Sequence, residues 1–196
     1  LIKCKKFVFA GTYNEFEILN FIGNDTFQPR YTCIYATAKL SAELMCRTLA
    51  FQLGIDYSAG LVCMAYGENN HSLMLANIIL KQLMENIEPK LIDGENYYDL
   101  IYVEDVAKAF QAIGEKGHNQ KSYYVGHRKL KRFKELFCEV RDIVNPSINL
   151  LFGQYKDTSN MDYSKIDLDA LYNDTGFECT ADLRVSILKT AHWLKS

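Results

Sequence analysis

The sequence has few prolines and no long apolar run. Three prolines and one tryptophan occur among its 196 residues, and no stretch approaches the roughly 20 apolar residues needed to span a bilayer. The chain begins at Leu1 without a methionine or a signal peptide, and it enters an apolar segment almost at once. We therefore expect a fragment of a longer, cytoplasmic protein that makes no contact with a membrane.

Neither sign of charge is in excess, and no metal-binding pattern is present. With 22 Lys and Arg against 24 Asp and Glu, the net charge of −2 does not indicate a nucleic-acid partner. One short basic cluster is interrupted by apolar residues and fits the solvated face of a helix: Lys129, Lys131, Arg132 and Lys134. Six cysteines and four histidines lack metal-ligand or redox spacing. We expect no metal, and thiols that are reduced and buried.

Apolar runs alternate with amphipathic segments along the chain. Residues 7–10 and 57–65 are continuous apolar runs, which are typical of buried parallel strands. An apolar stripe at three- and four-residue spacing predicts a helix over residues 31–53: Ile34, Ala38, Ala42, Met45, Leu49 and Leu53. Further predicted helices cover residues 72–85, 105–113, 130–143, 167–174 and 182–194, and further strands cover 90–92, 100–103 and 122–125. Residues 13–30 read as a loop. This alternation predicts an α/β architecture with a parallel sheet.

Other apolar residues fit core-facing positions and are assigned to packing: Leu73, Leu80, Met84, Phe133, Phe137 and Trp193. Asp105 precedes an amphipathic segment, where an acidic side chain commonly caps a helix N-terminus. We expect it to be such a cap.

Tyr35 and Lys39 form a Tyr-x-x-x-Lys pair on the predicted helix. Residues four apart lie on one helical face, and an ammonium beside a phenol favours the ionised phenol. Such a phenolate can accept a proton from an alcohol while hydride leaves the same carbon. The spacing alone is weak evidence for a catalytic pair, because a chain with 13 tyrosines is expected to contain about one such pair by chance. Thr12 strengthens the catalytic interpretation, because this residue ends a predicted buried strand and strand carboxyl ends bind ligands in open α/β sheets.

Four segments in order carry a family resemblance. They are Phe-Val-Phe-Ala-Gly-Thr ending at Thr12, the helix with Tyr35 and Lys39, Ala-Tyr-Gly ending at Gly67, and residues 99–107. Together with residues 174–194 they resemble the extended short-chain dehydrogenase/reductases, and more narrowly the NAD-dependent nucleotide-sugar epimerase/dehydratase branch. The resemblance implies NAD or NADP as cofactor and a nucleotide sugar as substrate. It also raises the expectation of a homodimer through the helix carrying Tyr35, although its apolar stripe equally fits burial against the sheet.

The resemblance also implies roles for individual residues. Tyr35 matches the catalytic acid/base, Lys39 the residue that binds the nicotinamide ribose and tunes the tyrosine, and Thr12 the hydroxyl that binds the reacting sugar oxygen. Met64 occupies a cofactor-side position where the family often has asparagine. Tyr98 occupies a substrate-side position where the family often has arginine. Candidates to bind the nucleotide instead are Asn69, Asn70 and Arg128, and each of these also fits an exposed loop.

The family's glycine-rich dinucleotide fingerprint is absent from the sequence. We therefore expect the carboxy-terminal portion of a Rossmann-like, doubly wound parallel sheet with a small α+β substrate-binding lobe. Residues 1–66 would be the later part of the NAD-binding domain. Residues 67–196 would form the lobe, with a strand and helix over about 100–126 returning to the core. The chain alone is expected to be inactive and not to bind NAD tightly.

The residues after Thr12 bear on the reaction. The 4,6-dehydratases of this branch have Asp-Glu after the catalytic Thr, whereas this chain has Tyr13 and Asn14, with Glu15 one place late. An amide cannot serve as a carboxylic acid, so the sequence favours an epimerase or a 4-keto reductase. The alternative is a catalytically silent binding or scaffold protein that retains the family fold.

Overall fold

The computed structural model describes residues 3–22, 32–159 and 161–195. The helices in these ranges are α1 (Asn14–Phe21), α2 (Thr32–Gln52), α3 (Leu75–Met84), α4 (Val103–Lys116), α5 (Phe133–Val144), α6 (Ala170–Thr175) and α7 (Leu183–Lys195). The strands are β1 (Lys6–Thr12), β2 (Asp56–Val62), β3 (Met64–Tyr66), β4 (Tyr97–Tyr98), β5 (Leu100–Tyr102), β6 (Lys121–Val125) and β7 (Lys131–Arg132).

The chain divides into two compact units, each made of three separate stretches. The first, which we call the sheet unit, comprises Leu1–Cys63, Val106–Arg128 and Ser159–Cys179. The second, which we call the helical unit, comprises Met64–Asp105, Lys129–Thr158 and Thr180–Ser196.

The sheet unit contains a three-stranded parallel sheet in the order β1-β2-β6. Strands β1 and β2 pair from Lys6 to Thr12, and β2 pairs with β6 so that Thr12, Val62 and Val125 lie side by side at the carboxyl ends. Every residue of β2 from Tyr57 to Leu61 is buried, as expected for a strand covered on both faces. The predicted α/β class with parallel strands is confirmed.

Gly60 shows why this strand accepts so little side-chain volume. A Cβ atom at Gly60 would lie 2.9 Å from Phe110 Cζ and 3.1 Å from Ile113 Cδ1. Both side chains belong to α4, so the glycine lets this helix pack directly on the middle of the sheet.

The helical unit encloses a larger apolar core. Its short strands form a parallel pair, β3 with β5, and an antiparallel pair, β4 with β7. The core residues come mainly from α3, α5 and the strands: Tyr66, Ala76, Ile79, Leu80, Leu83, Leu91, Leu100, Tyr102, Phe133, Leu136, Phe137, Val140 and Ile187. Tyr66 Oη also shares a 2.6 Å hydrogen bond with Ser186 Oγ, which ties β3 to α7.

The loop predicted over residues 13–30 is wrong where it can be compared. Residues 14–21 form α1, while residues 23–30 lie outside the described residues. Glu15 and Glu17 fall in the first turn of α1, and both are buried. Ile18 and Phe21 pack against α2 in a small apolar cluster, and this tertiary packing stabilises a helix of only eight residues.

Several predicted boundaries shift. The run over residues 57–65 is two strands, β2 and β3, which belong to different sheets. Residues 90–92 contribute one bridge, between Lys90 and Leu151, instead of a strand. Helix α5 begins at Phe133 because the two residues before it pair with β4 as β7. Helix α3 begins at Leu75, three residues later than predicted.

The apolar stripe of α2 does not face the sheet. Ile34, Met45 and Leu49 are exposed, and Met45 is 72% exposed. The residues of α2 that are buried are Cys33, Ala36, Leu40, Glu43 and Ala50. Burial of this stripe against the sheet is therefore wrong.

Leu73 is also wrongly assigned to the core, because it is 84% exposed in the turn before α3. Leu80, Phe133 and Phe137 are buried as predicted. Trp193 is half-buried, with its ring centroid 4.3 Å from that of His71.

Asp105 is not a helix cap. Helix α4 begins at Val103, so Asp105 is its third residue. The carboxylate is buried and accepts hydrogen bonds from the backbone N–H groups of Thr180 (3.0 Å) and Ala181 (2.9 Å). The side chain therefore fixes the segment that leads into α7.

No helix within the described ranges is both long and apolar enough to cross a membrane. None of the six cysteines, which all lie within the described ranges, forms a disulfide bond: Cys33 and Cys63 are buried, Cys46, Cys138 and Cys179 are half-buried, and Cys4 is exposed. The prediction of buried thiols is therefore wrong for Cys4.

Candidate functional site

Thr12 lies at the carboxyl end of β1, on the ligand-binding edge typical of parallel sheets. The residue is 6% exposed. Its Oγ1 atom accepts two long hydrogen bonds of 3.4 Å, from the backbone N–H and from the Nδ2 of Asn14. Neither contact uses the hydroxyl hydrogen of Thr12, so this group can still donate to a bound molecule.

Lys39 reaches the same strand from α2. Its Nζ atom donates to the backbone oxygen of Ala10 at 2.5 Å and lies 4.7 Å from the centroid of the Phe9 ring. Helix α2 packs on β1, and these two contacts hold the half-buried ammonium two residues before Thr12. An ammonium has three hydrogens to donate, and the contact with Ala10 occupies one of them.

Tyr35 lies one helical turn before Lys39, in the first part of α2. The side chain is 55% exposed, so the phenol is accessible to a bound molecule. The structure thus brings Thr12 and Lys39 to one end of β1, with Tyr35 on the helix that carries Lys39. Their chemical roles stay predictions.

The three other predicted site residues lie in the helical unit. Met64 begins β3 and is partly buried against the unit's core. Tyr98, in β4, packs edge-on against Phe133, with ring centroids 5.2 Å apart. Asn69 is exposed in the loop after β3 and has a positive φ of 65°. Roles for these residues in cofactor or substrate binding also stay predictions.

Arg128 is not a freely available cation. Its Nε atom donates to Asp169 Oδ1 at 2.5 Å, and Glu178 lies 3.6 Å from Nη1. The guanidinium also lies over the Tyr172 ring, 4.0 Å from its centroid. A diphosphate would compete with two acidic side chains for this arginine.

The sequence reading missed a buried acidic group directly beneath β1. Glu15, in α1, is 0% exposed, and its Oε1 atom accepts the backbone N–H of Thr12 at 2.8 Å. Gly11 makes room for this contact, because a Cβ atom there would lie 2.7 Å from Glu15 Oε1 and 2.4 Å from Leu61 Cδ2. The sequence signal was a glycine before the hydroxyl residue and an acidic residue three positions after that hydroxyl residue.

Glu15 is adjacent to a second buried carboxyl group, that of Glu43 on α2. Burial raises the pKa of Glu15 to about 8, and the hydrogen bond and charge of Glu43 act in the same direction. The backbone N–H of Thr12 and the charge of Lys39 oppose this rise in the pKa of Glu15. Glu43 in turn is bonded to Arg47 Nη2 at 2.7 Å and to Ser122 Oγ at 2.5 Å.

The parallel sheet in the order β1-β2-β6, with α2 and α4 packed on it, is that of a Rossmann-like α/β protein, and Thr12 and Lys39 lie near one end of its strand β1. The NAD dependent epimerase/dehydratase family matches the chain over residues 2–126. Because this match covers more than half of the chain, the protein belongs to that family, and the family predicted from the sequence is confirmed.

One curated relative is a plant enzyme of Arabidopsis thaliana, the trifunctional UDP-glucose 4,6-dehydratase/UDP-4-keto-6-deoxy-D-glucose 3,5-epimerase/UDP-4-keto-L-rhamnose-reductase. It is 25% identical over 155 residues, which cover 76% of this chain and 23% of the relative. The chain therefore spans about a quarter of that enzyme's length.

Solved structures share the fold. The UDP-glucuronic acid 4-epimerase of Bacillus cereus, in complex with UDP-glucuronic acid and NAD, has a TM-score of 0.77 at 18% identity, covering 99% of this chain and 62% of that one. RMD of Pseudomonas aeruginosa, complexed with NADPH, has a TM-score of 0.75 at 17% identity, covering 97% and 67%. The chain thus corresponds to about two thirds of these proteins, which agrees with the partial Rossmann-like fold predicted from the sequence.

Proposed function

We propose that the complete protein is an NAD(P)-dependent enzyme that epimerises or reduces a nucleotide-activated sugar. The observation that carries the proposal is the contact of Lys39 Nζ with the backbone oxygen of Ala10. This contact holds an ammonium next to the strand end that bears Thr12, one helical turn from the exposed phenol of Tyr35. Family membership and the NAD- or NADPH-bound neighbours support the same reading.

The residues of this chain would move the proton of the reaction. Tyr35 Oη takes the proton from a sugar hydroxyl during oxidation and returns it to a carbonyl oxygen during reduction. Lys39, one helical turn away, would bind the nicotinamide ribose through its remaining ammonium hydrogens. Thr12, whose hydroxyl hydrogen is not used by its contacts with Asn14, donates to the same sugar oxygen and orients it.

The residues present fit a nicotinamide cofactor on one side. A nicotinamide supplies the hydride acceptor and donor when it is bound. Lys39 has hydrogens left to donate to ribose hydroxyls, and exposed Tyr35 can contact the same ribose. Met64 would lie on the cofactor side, and Asn69 and Tyr98 on the substrate side. The roles predicted for residues 1–66 in cofactor binding and for residues 67–196 in sugar binding are part of this proposal.

The surroundings of Glu15 favour epimerase or reductase over dehydratase. Elimination of water requires an acid and a base that contact the sugar. Glu15 is the nearest acid after Thr12, but it is fully buried and bonded to the backbone N–H of Thr12. It is therefore not placed to serve as the second acid of a dehydratase.

The test is turnover of a nucleotide-sugar panel by the complete protein with NAD or NADP, followed by proton NMR. We expect either a 4-epimer without net change in the cofactor, or a reduced sugar with one cofactor oxidised per product. Calorimetric titration of cofactor and nucleotide sugars accompanies the assay. Binding of both without any product would overturn the proposal and favour a silent binding or scaffold protein.

The exposed face of α2 supports a homodimer as a further part of the proposal. Large apolar side chains on one helix are seldom left in contact with water, and this face carries Ile34, Leu44, Met45, Leu49 and Phe51. A second copy of the chain offers the same stripe, so two copies can bury it by symmetric packing.

Met45→Arg tests the dimer. A charged residue in the middle of the apolar stripe should weaken self-association by about 100-fold, measured by sedimentation of the complete protein over a concentration series. Leu73→Arg is the matched control, because Leu73 is even more exposed but lies in the helical unit. Equal association of both variants and the wild type would contradict an interface on α2.

A further inference from the structure

Glu15 on α1 and Glu43 on α2 are two of the buried glutamates of the sheet unit, where isolated charges are strongly disfavoured. Glu15 is fully buried and Glu43 nearly so. Each lies close in sequence to a predicted site residue. Glu15 is three positions after Thr12, and Glu43 is four positions after Lys39. The site mechanism proposed above uses neither of them.

Glu43 has the partners expected of an ionised carboxylate. Arg47 Nη2 forms an ion pair with its Oε1 atom, and Ser122 Oγ donates to the same oxygen. Arg47 Nη2 also donates to Ser122 Oγ at 2.5 Å. This arginine and hydroxyl pair stabilises a negative charge at Glu43.

Glu15 has the partners expected of a neutral acid. One carboxyl oxygen accepts the N–H of Thr12, while Oε2 is buried and receives no hydrogen bond from a donor group. The adjacent carboxyl group is Glu43, and two ionised carboxylates cannot hydrogen-bond to each other. A single proton on Glu15 Oε2 satisfies both groups. This is consistent with the raised pKa of Glu15.

The groups that face Glu15 come from three elements. Helix α2 contributes the carboxyl of Glu43 and the ammonium of Lys39, β2 contributes the buried phenol of Tyr57, and β1 contributes the N–H of Thr12. Lys39 is the cation among them. Among the described residues its ammonium makes no ion pair, and its contacts are the Ala10 oxygen and the Phe9 ring.

We propose that Glu15 is held as a neutral carboxylic acid whose O–H group donates a hydrogen bond to the Glu43 carboxylate. Because Glu15 carries no negative charge, it does not act as a counter-ion to the Lys39 ammonium. The pair therefore acts as a positioning device beneath the strand end: it fixes the backbone of Thr12 and withholds a counter-ion from the ammonium. The consequence for catalysis rests on the proposed function, whereas the shared proton does not.

Titration of carboxyl carbons in the complete protein, labelled with ¹³C-glutamate, measures the proton directly. Glu15→Gln and Glu43→Gln assign the two signals. We expect Glu15 to titrate well above the exposed glutamates, which titrate near about 4.3. We also expect Glu43→Gln to lower the midpoint of Glu15 by at least about one pH unit, because the neighbouring charge is removed. A wild-type midpoint near that of the exposed glutamates, or one unmoved by Glu43→Gln, would overturn the proposal.

The pH dependence of unfolding provides a second measurement. Because the pKa of Glu15 is raised on folding from 4.5 to about 8, its contribution to stability is complete below about pH 4.5 and is lost as the pH rises to about 8. Glu15→Gln keeps the acceptor for Thr12 and a donor for Glu43, so this loss should disappear in the variant. An unchanged pH profile of the unfolding free energy would contradict a neutral Glu15.

The pH dependence of kcat on the alkaline side tests whether the ionisation state of Glu15 affects Lys39. Ionised Glu15 would place a counter-ion beside Lys39, so wild-type kcat should fall near pH 8, and Glu15→Gln should lack this fall. If the carboxyl signals behave as expected but kcat shows no such difference, the role beside Lys39 is wrong and the shared proton stands. If Tyr35 proves unnecessary for turnover, the proposed function fails independently of both.

Discussion

Tyr35→Phe should lower the turnover of a nucleotide sugar by the complete protein by about 10²–10⁴-fold, the usual contribution of a positioned general acid or base. The substitution removes one oxygen and leaves the ring. Because the side chain is 55% exposed, the fold should be unaffected. The affinity for cofactor should change little compared with kcat, since the proton-transferring oxygen acts mainly in the transition state.

The matched control for this prediction is Tyr155→Phe. Tyr155 has a similar exposure of 59% but belongs to the helical unit, away from α2 in the chain. Its loss of a hydroxyl should leave turnover at the wild-type level. Turnover of Tyr35→Phe within a few-fold of the wild type would remove the acid/base role from Tyr35.

Asp105→Ala should destabilise the protein by about 2–5 kcal/mol. The buried carboxylate accepts the N–H groups of Thr180 and Ala181 and the hydroxyl of Thr180. Removal takes the acceptor away from all three donors, which lie in part-buried hydrogen bonds, and a hydrogen bond to a charged group contributes about 1.5–3 kcal/mol. Chemical denaturation, with the midpoint and the slope both fitted, measures the change.

Glu104→Ala is the control, because Glu104 lies in the same helical turn and its side chain is 58% exposed. Its ion pair with Lys189 is 3.8 Å long, and exposed pairs contribute at most about 1 kcal/mol. A residue that merely caps or charges the helix N-terminus would give similar losses at both positions. Equal, small effects would therefore contradict the clamp described for Asp105.

The sequence predicts the regular parts of the fold well. Strand β2 is visible because its burial is continuous from Tyr57 to Leu61, and there the local pattern and the tertiary environment agree. Helix α2 is visible from the period of its apolar residues, although members of that stripe such as Ile34 and Met45 are exposed. The order of the segments also identifies the family, although the twisted sheet itself depends on pairings that no single segment encodes.

The sequence misleads where polar residues are buried or apolar residues are exposed. The turn signals Gly23-Asn24-Asp25 and Pro29 predict a loop over residues 13–30, whereas residues 14–21 form α1 with Glu15 and Glu17 buried. The place of Asp105 before an amphipathic segment predicts a cap, whereas its actual partners, Thr180 and Ala181, lie 75 residues or more away in sequence. Leu73 shows the opposite error, since a leucine at helical spacing lies outside the helix.

The candidate site divides in the same way. Thr12, Tyr35 and Lys39 follow from strand-end position, spacing and the family pattern. Glu15 and Glu43 do not, because a buried acid pair is recognisable only once α1 and α2 are packed together. Hydrogen bonds between distant segments are therefore the part of the site that a linear reading cannot supply.

The interleaving of the two units bears on how the protein acquires its shape during synthesis. The chain passes between the units five times, at residues 63/64, 105/106, 128/129, 158/159 and 179/180. A nascent polypeptide usually completes one domain before it begins the next. Here neither unit can complete its core until its last stretch, Ser159–Cys179 or Thr180–Ser196, has been synthesised. Apolar surface of both units therefore stays exposed to water during synthesis. Removal of residues 159–196 would destabilise both units together.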